Sequence, residues 1–111
     1  MNPLLYHFAS LKDWADADDT KYVPESFETE NFIHLCTATQ AREIYLRFFA
    51  NQKMQLLVVS AQGIKADVRW EDLYGHGAFP HLYAPLALKH IQSTCQIGSK
   101  DALDRTLHDH G

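Results

Sequence analysis

Three histidines are the residues of this sequence best placed to do chemistry. His7, His34 and His81 each lie in a short apolar and aromatic segment that is typical of a β-strand. Side chains alternate between the two faces of a strand, so imidazoles on neighbouring strands can converge on one pocket. Imidazole also titrates near neutral pH, which suits it to proton transfer. The alternative is three unrelated histidines, each with its own partners in the core or at a strand end.

The other histidines lie in more polar surroundings. The chain has seven histidines among 111 residues, a high number, so their context is what distinguishes them. His76 stands between two glycines, His90 is near the start of a predicted strand, and His108 and His110 are in the polar C-terminal segment. We expect these four to be solvated rather than functional.

A metal site and a nucleophilic cysteine are specific alternatives for these histidines. Three imidazoles can form a catalytic zinc site, but the sequence contains no HxxxH pair and no metal is expected. Cys36 and His34 share one strand face, at a separation that suits neighbours rather than a hydrogen-bonded pair. We therefore interpret Cys36 as a small core residue.

A charged pair and a hydroxyl could contact a ligand beside the histidines. Arg69 and Glu71 flank Trp70, so strand alternation places both charges on one face. Arg69 could anchor a phosphate and Glu71 could bind a ribose hydroxyl, or the two could form an exposed pair of negligible energy. Thr37 with Gln40 matches a capping box, and the helix that it opens offers free N–H groups to an anion.

The length and composition are those of one globular domain. The chain has 111 residues, 46% of them hydrophobic, which is enough to bury a core without a disulfide or a metal. The formal net charge is −4, and the ten Lys and Arg are scattered. Because nucleic-acid binding draws on clustered positive charge, we expect no extended nucleic-acid surface.

The cysteines and the apolar segments bear on the compartment. Cys36 and Cys95 give neither a disulfide framework nor a CxxC motif. No apolar run reaches the roughly 18 residues that a membrane-spanning helix needs. The first residues also lack the basic and apolar regions of a signal peptide. We therefore expect a cytoplasmic protein without a membrane contact.

Hydrophobic periodicity predicts an α+β arrangement, with two helices against strand-rich sheets. The predicted strands cover residues 4–9, 32–36, 54–60, 68–71, 79–83 and 88–97. One helix is predicted from a Ser10 cap to about Asp18, and a longer one follows the Thr37 cap through Phe49. Residues 21–24 are predicted as extended and 25–31 as an acidic loop. We expect one domain over residues 1–97, with 98–111 as a polar C-terminal tail or short helical turn.

Several of these segments together resemble the domain of unknown function 952 family of small bacterial proteins. The matching segments are Leu5-Tyr6-His7, Phe32-Ile33-His34 followed by Cys36-Thr37, Leu56-Leu57-Val58-Val59, Val68-Arg69-Trp70-Glu71, and Phe79-Pro80-His81-Leu82-Tyr83-Ala84-Pro85-Leu86. The combination of RWE with FPHxYxPL is specific, and the resemblance extends to about residue 93.

The resemblance implies a fold similar to the ADP-ribosyltransferase superfamily, in which two small split sheets of antiparallel type, with two main helices, grip NAD. It implies that His7 positions the NAD ribose and that His34 packs beside nicotinamide. His81 falls where many relatives carry the glutamate that orients the acceptor or the ribose. Two further departures are Phe8 and Asn31, which stand where glycines are usual; asparagine tolerates positive φ.

The leading hypothesis is a histidine-lined cleft that binds or processes a nucleotide of the NAD or ADP-ribose type, with transferase-like chemistry. Cleavage of NAD mainly requires that the sugar be held and its developing charge stabilised. The candidate catalytic residues are His34, Glu71 and His81, and the candidate nucleotide-binding residues are His7, His34, Thr37 and Arg69. The alternatives are a non-catalytic module that binds a metabolite or a protein, and a structural protein whose histidines do not converge.

Overall fold

The computed structural model of the chain describes residues 3–75 and 77–110, without the side chain of the last of these. The expectation that His76 and the His110 side chain are solvated lies outside the described residues. The strands are β1 (Leu4–Ala9), β2 (Lys21–Tyr22), β3 (Ile33–His34), β4 (Met54–Ser60), β5 (Val68–Glu71), β6 (Phe79–Leu82), β7 (Leu86–Ala87) and β8 (Ile91–Ile97). The α-helices are α1 (Leu11–Ala15), α2 (Phe27–Glu30), α3 (Ala38–Phe48), α4 (Ala61–Ile64) and α5 (Lys100–His110).

The strands pair into three small antiparallel sheets. The first has the order β1-β4-β8, the second β3-β6-β5, and the third pairs β2 with β7. A main-chain bridge links the first sheet to the segment after β3, because Tyr6 and Cys36 exchange two N–H···O bonds of 2.8 Å. The result is a mixed α and β domain, as the α+β prediction expected. Its likeness to the ADP-ribosylation fold stays a prediction.

Strand β4 explains why its sequence is almost continuously apolar. It is the central strand of the first sheet and both of its faces are covered. Leu57 and Val59 face one apolar cluster, which also contains residues of β2, β3, β6 and β7. Leu56 and Val58 face a second cluster, which includes residues of α3 and α5. A strand buried on both faces has no polar side to alternate with.

Two predicted helix caps are present. The Thr37 hydroxyl accepts from the Gln40 N–H, and the Gln40 side chain returns to the Thr37 N–H, so the capping box is complete. The Ser10 hydroxyl accepts from the Asp13 N–H at 3.0 Å. Helix α1 nonetheless ends at Ala15 rather than near Asp18. The Asp18 carboxylate accepts two main-chain N–H groups that follow it, which stabilises a turn there instead of a helix.

Several segments differ from the prediction, and the two-residue strand β7 is one that was not predicted. The acidic loop expected at residues 25–31 contains the one-turn helix α2, which Asn31 ends in the left-handed conformation (φ 67°). Helix α4 was not predicted. The strand expected at 88–97 begins only at Ile91, after a 3-10 turn. The end of the chain is helix α5 rather than a tail or a single turn, because Leu103 is fully buried in the second cluster.

Gly63, in α4, lies against the His90 imidazole, which is half-buried rather than fully solvated. A Cβ at position 63 would lie 2.6 Å from Cε1 and 3.0 Å from Cγ of that ring. We expect Gly63→Ala to lower the free energy of unfolding by about 1–3 kcal/mol, the usual cost of overpacking, although alanine is the better helix former. Urea unfolding measures the change.

Two controls define the cause. Gly98→Ala would place its Cβ 3.5 Å from Lys53 Cγ, an ordinary contact, and should change stability little. In a His90→Ala background, Gly63→Ala should become neutral or stabilising. The same loss in both backgrounds would show that the His90 ring is not the obstacle.

Candidate functional site

The three strand histidines converge on one cleft. It has a volume of about 850 Å³, and His7, His34 and His81 all line it. Its wall includes seven aromatic residues, which are Tyr6, Phe8, Tyr22, Phe48, Phe49, Tyr74 and Phe79. A more open depression of about 560 Å³ lies on α3 and has no histidine in its lining. The convergence therefore selects the larger cleft as the candidate site.

His7 joins all three sheets through its two ring nitrogens. Its Nδ1 lies 2.6 Å from the carbonyl oxygen of His34 in β3, and its Nε2 lies 2.8 Å from the hydroxyl of Tyr22 in β2. Because a carbonyl only accepts, Nδ1 carries the hydrogen and Nε2 accepts from Tyr22. Burial lowers the pKa of His7 to about 4, and the bond to the His34 carbonyl offsets this only in part. His7 is neutral near pH 7 and has no nitrogen left for a ligand.

His34 is the most accessible of the three imidazoles, with 42% of its side chain exposed. Its Nε2 donates to the Glu30 carboxylate at 2.9 Å. Glu30 reaches it because α2 ends there and Asn31 turns the chain back in the left-handed conformation. Among the described residues no group bonds to Nδ1 of His34, so this nitrogen is open to a ligand.

His81 is held from behind by a carboxylate. Only 1% of the residue is exposed, and Phe32 stacks on its ring at a centroid distance of 4.3 Å. Its Nδ1 donates to Glu71 at 2.9 Å, and the same carboxylate oxygen accepts the Tyr83 hydroxyl at 2.6 Å. These bonds, that from Tyr83 first, lower the pKa of Glu71, so the carboxylate is ionised.

Sheet register brings the last two imidazoles together. His34 and His81 are direct partners across the antiparallel pair β3–β6. Their rings meet edge to face, with centroids 5.4 Å apart. Since His34 is bonded to Glu30 and His81 to Glu71, two carboxylate–imidazole pairs lie side by side at the cleft.

The other predicted site residues do not line this cleft. Thr37 caps α3. Arg69 and Glu71 do share one face of β5, as alternation predicts, and Arg69 is the cross-strand partner of His81. The Arg69 guanidinium lies over the Tyr83 ring, 4.7 Å from its centroid, and Glu71 binds His81. Direct contacts of these three residues with a ligand stay predictions. In the structure each of them contacts another part of the protein.

Several residues of the site were not predicted from sequence. They are Asp13, Tyr22, Glu30, Phe32, Arg47 and Tyr83. Glu30 stands four residues before His34, a spacing that brings two side chains together in a helix. Here the helix ends at Glu30 and His34 lies in a strand, so this spacing could not predict their contact. Arg47 is the only Lys or Arg in the lining among the described residues, and it is paired with Glu43 at 3.0 Å.

The two alternative chemistries find no support in the geometry. Within residues 3–75 and 77–110, no group of three His, Cys, Asp or Glu is arranged to hold a metal ion. Cys36 is buried, and burial raises the pKa of its thiol to about 12, so the thiol is not a ready nucleophile. In the described part of the chain, no helix is both long and apolar enough to cross a membrane.

Fold and cleft together define a small α and β protein with a histidine-lined cavity. The chain belongs to the family described as protein of unknown function (DUF952), which matches residues 8–94. The resemblance to this family in the sequence is thereby confirmed, whereas the likeness to the ADP-ribosyltransferase superfamily stays a prediction. No curated protein matches the chain.

Solved structures of one bacterial protein share this fold. The crystal structure of protein CC0527 from Caulobacter crescentus is 28% identical with a TM-score of 0.78, over 91% of this chain and 98% of that one. The solution NMR structure of CC0527 is 30% identical with a TM-score of 0.71, over 83% and 82% of the two chains.

The buried His7 predicts a stability loss in mild acid. The unfolded chain takes up this proton near the ordinary pKa of 6.5, whereas the folded chain does so only near 4. The unfolded state therefore binds more protons in this window, and stability falls as the pH drops from about 6.5 towards 4. The full contribution is about 3 kcal/mol. Urea unfolding across this pH range measures it.

The matched variants are His7→Asn and His108→Asn. The first keeps a donor for the His34 carbonyl but cannot titrate, so its stability should depend less on pH even if it is lower overall. The second changes an exposed histidine of α5 and should keep the wild-type slope. An unchanged slope in His7→Asn would assign the pH dependence to other groups.

Proposed function

We propose that the cleft binds a nucleotide of the NAD or ADP-ribose type and processes it by transferase-like chemistry. The observation that carries the proposal is the meeting of His34 and His81, each oriented by a carboxylate, in a cleft whose wall also contains aromatic rings. Such a cavity can take a planar heterocycle against its rings and the sugar at its imidazoles. Its volume of about 850 Å³ is in the range of cofactor sites.

The charges of the lining suggest how such a ligand would be oriented. Asp13 and Glu43 are the acidic residues of the described lining, and Arg47 is its basic one. Arg47 is 42% exposed in the last turns of α3. A pyrophosphate would therefore lie towards Arg47 and solvent, while the uncharged parts of the nucleotide occupy the aromatic interior. Arg69, the anchor expected from sequence, is turned to Tyr83 instead.

The resemblance to the ADP-ribosyltransferase superfamily also favours this ligand. In that superfamily two small split sheets grip NAD, and here the cleft is bordered by residues of two sheets, Tyr6 and His7 from β1 and His34 and His81 from β3 and β6. His7, the match for the first-strand histidine, would act indirectly. Both of its nitrogens are bonded, so it would fix the Tyr22 hydroxyl and the His34 main chain in place.

The test is isothermal titration of the protein with NAD, ADP-ribose and nucleotide phosphates. His34→Ala removes a half-exposed imidazole, and we expect it to weaken binding about tenfold, near 1.4 kcal/mol. His108→Ala, outside the cleft, should bind as the wild type does. No binding of any of the three ligands would contradict the proposal, and equal binding by His34→Ala would place the ligand elsewhere.

The second candidate is a module that binds the nucleotide without catalysis. It is favoured by His7, because both ring nitrogens are bonded within the protein and the neutral ring is not free to transfer a proton. Prolonged incubation with NAD labelled in the nicotinamide separates the candidates. Hydrolysis breaks the bond between nicotinamide and ribose, and the electron pair leaves with nicotinamide. The oxygen of a water molecule bonds to the ribose carbon and one of its protons is released, which gives nicotinamide and ADP-ribose. We expect enzyme-dependent release that is lost in His34→Ala. Binding without release would assign the module.

A further inference from the structure

The geometry points to Glu71 as a positioning residue that fixes the less common tautomer of His81, so that the cleft presents unprotonated imidazole nitrogens and selects ligand groups that donate hydrogen bonds. Sequence reasoning placed Glu71 at the ligand itself. In the structure it contacts His81 and Tyr83, and it is absent from the lining of the cleft.

The tautomer follows from the partners of His81. The ionised Glu71 carboxylate can only accept, so Nδ1 of His81 must carry the hydrogen. In the neutral ring Nε2 is then an acceptor. A free imidazole favours the opposite arrangement, with hydrogen on Nε2. The Tyr83 hydroxyl donates to the same Glu71 oxygen and holds it against His81.

The open nitrogen faces the cleft. In the described part of the chain every buried side-chain nitrogen or oxygen has a hydrogen-bond partner. Nε2 of His81 has no partner in that part of the chain, so it is not one of the buried atoms. The residue is 1% exposed and lines the cleft, and we infer that Nε2 is the atom that reaches the cleft. Turning the ring over would break its bond to Glu71 and its stacking on Phe32, which favours the observed orientation.

His34 has the complementary arrangement. Its Nε2 donates to the Glu30 carboxylate, which leaves Nδ1 as the acceptor in the neutral ring. Its centroid is 5.4 Å from that of His81. Two neighbouring acceptors match a ligand group with adjacent donors, such as vicinal hydroxyls or a primary amide. This choice of ligand group rests on the proposed function, whereas the tautomer of His81 does not.

The test is long-range ¹H–¹⁵N NMR of the histidine rings without ligand, at a pH of about 8.5, where an ordinary histidine is neutral. We expect wild-type His81 to be almost wholly the Nδ1–H tautomer. Glu71→Ala should move most of the population to Nε2–H. Glu71→Gln keeps an acceptor oxygen without the charge and should retain Nδ1–H, which separates positioning from a loss of folding.

Glu43→Ala is the matched control, because Glu43 lines the cleft and pairs with Arg47 rather than with a histidine. It should leave the His81 spectrum unchanged. Nε2–H in the wild type, or Nδ1–H retained in Glu71→Ala, would overturn the assignment of Glu71.

Titration with NAD then tests the ligand group. If the ligand donates a hydrogen bond to His81, the Nε2 resonance should shift while that nitrogen still carries no hydrogen. If Nε2 instead gains a hydrogen when NAD binds, the inference that the cleft selects donor groups is wrong. No movement of any cleft histidine would contradict nucleotide binding here, and it would leave the ligand-free result for Glu71 standing.

Discussion

The hydrogen bonds of His7 are the constraint on which the rest of the structure depends. One buried imidazole in β1 donates to the main chain of β3 and accepts from a hydroxyl of β2, so it ties the three sheets together. A buried polar group is costly unless both its donor and its acceptor are satisfied, and here both are. The wall of the cleft is thereby fixed at Tyr22 and at His34.

Because both nitrogens of His7 are bonded, His34 and His81 are the strand histidines that keep a ring nitrogen available for a ligand. Each has one nitrogen bonded to a carboxylate and one without a partner among the described residues. A fixed imidazole is a better binding or proton-transfer group than a rotating one, since less order must be imposed when a ligand arrives.

Much of the framework could be predicted from local patterns. The Thr37 capping box, the apolar run of β4 and the short aromatic strands all appeared close to where they were expected. Alternation correctly placed Arg69 and Glu71 on one face of β5. Helix α2 was missed because one turn has no periodicity to detect, and α5 was misread because its polar residues hide a single buried leucine, Leu103.

The sequence by itself determined which residues alternate along each strand and which family the chain resembles. Only the tertiary structure decided which strands adjoin, because pairing and register depend on contacts between distant segments. It made His34 and His81 cross-strand partners, placed the Glu71 carboxylate against His81, and gave both ring nitrogens of His7 a hydrogen-bond partner. Identity and spacing predict that imidazoles can meet; the packing around them decides which nitrogen of each remains open.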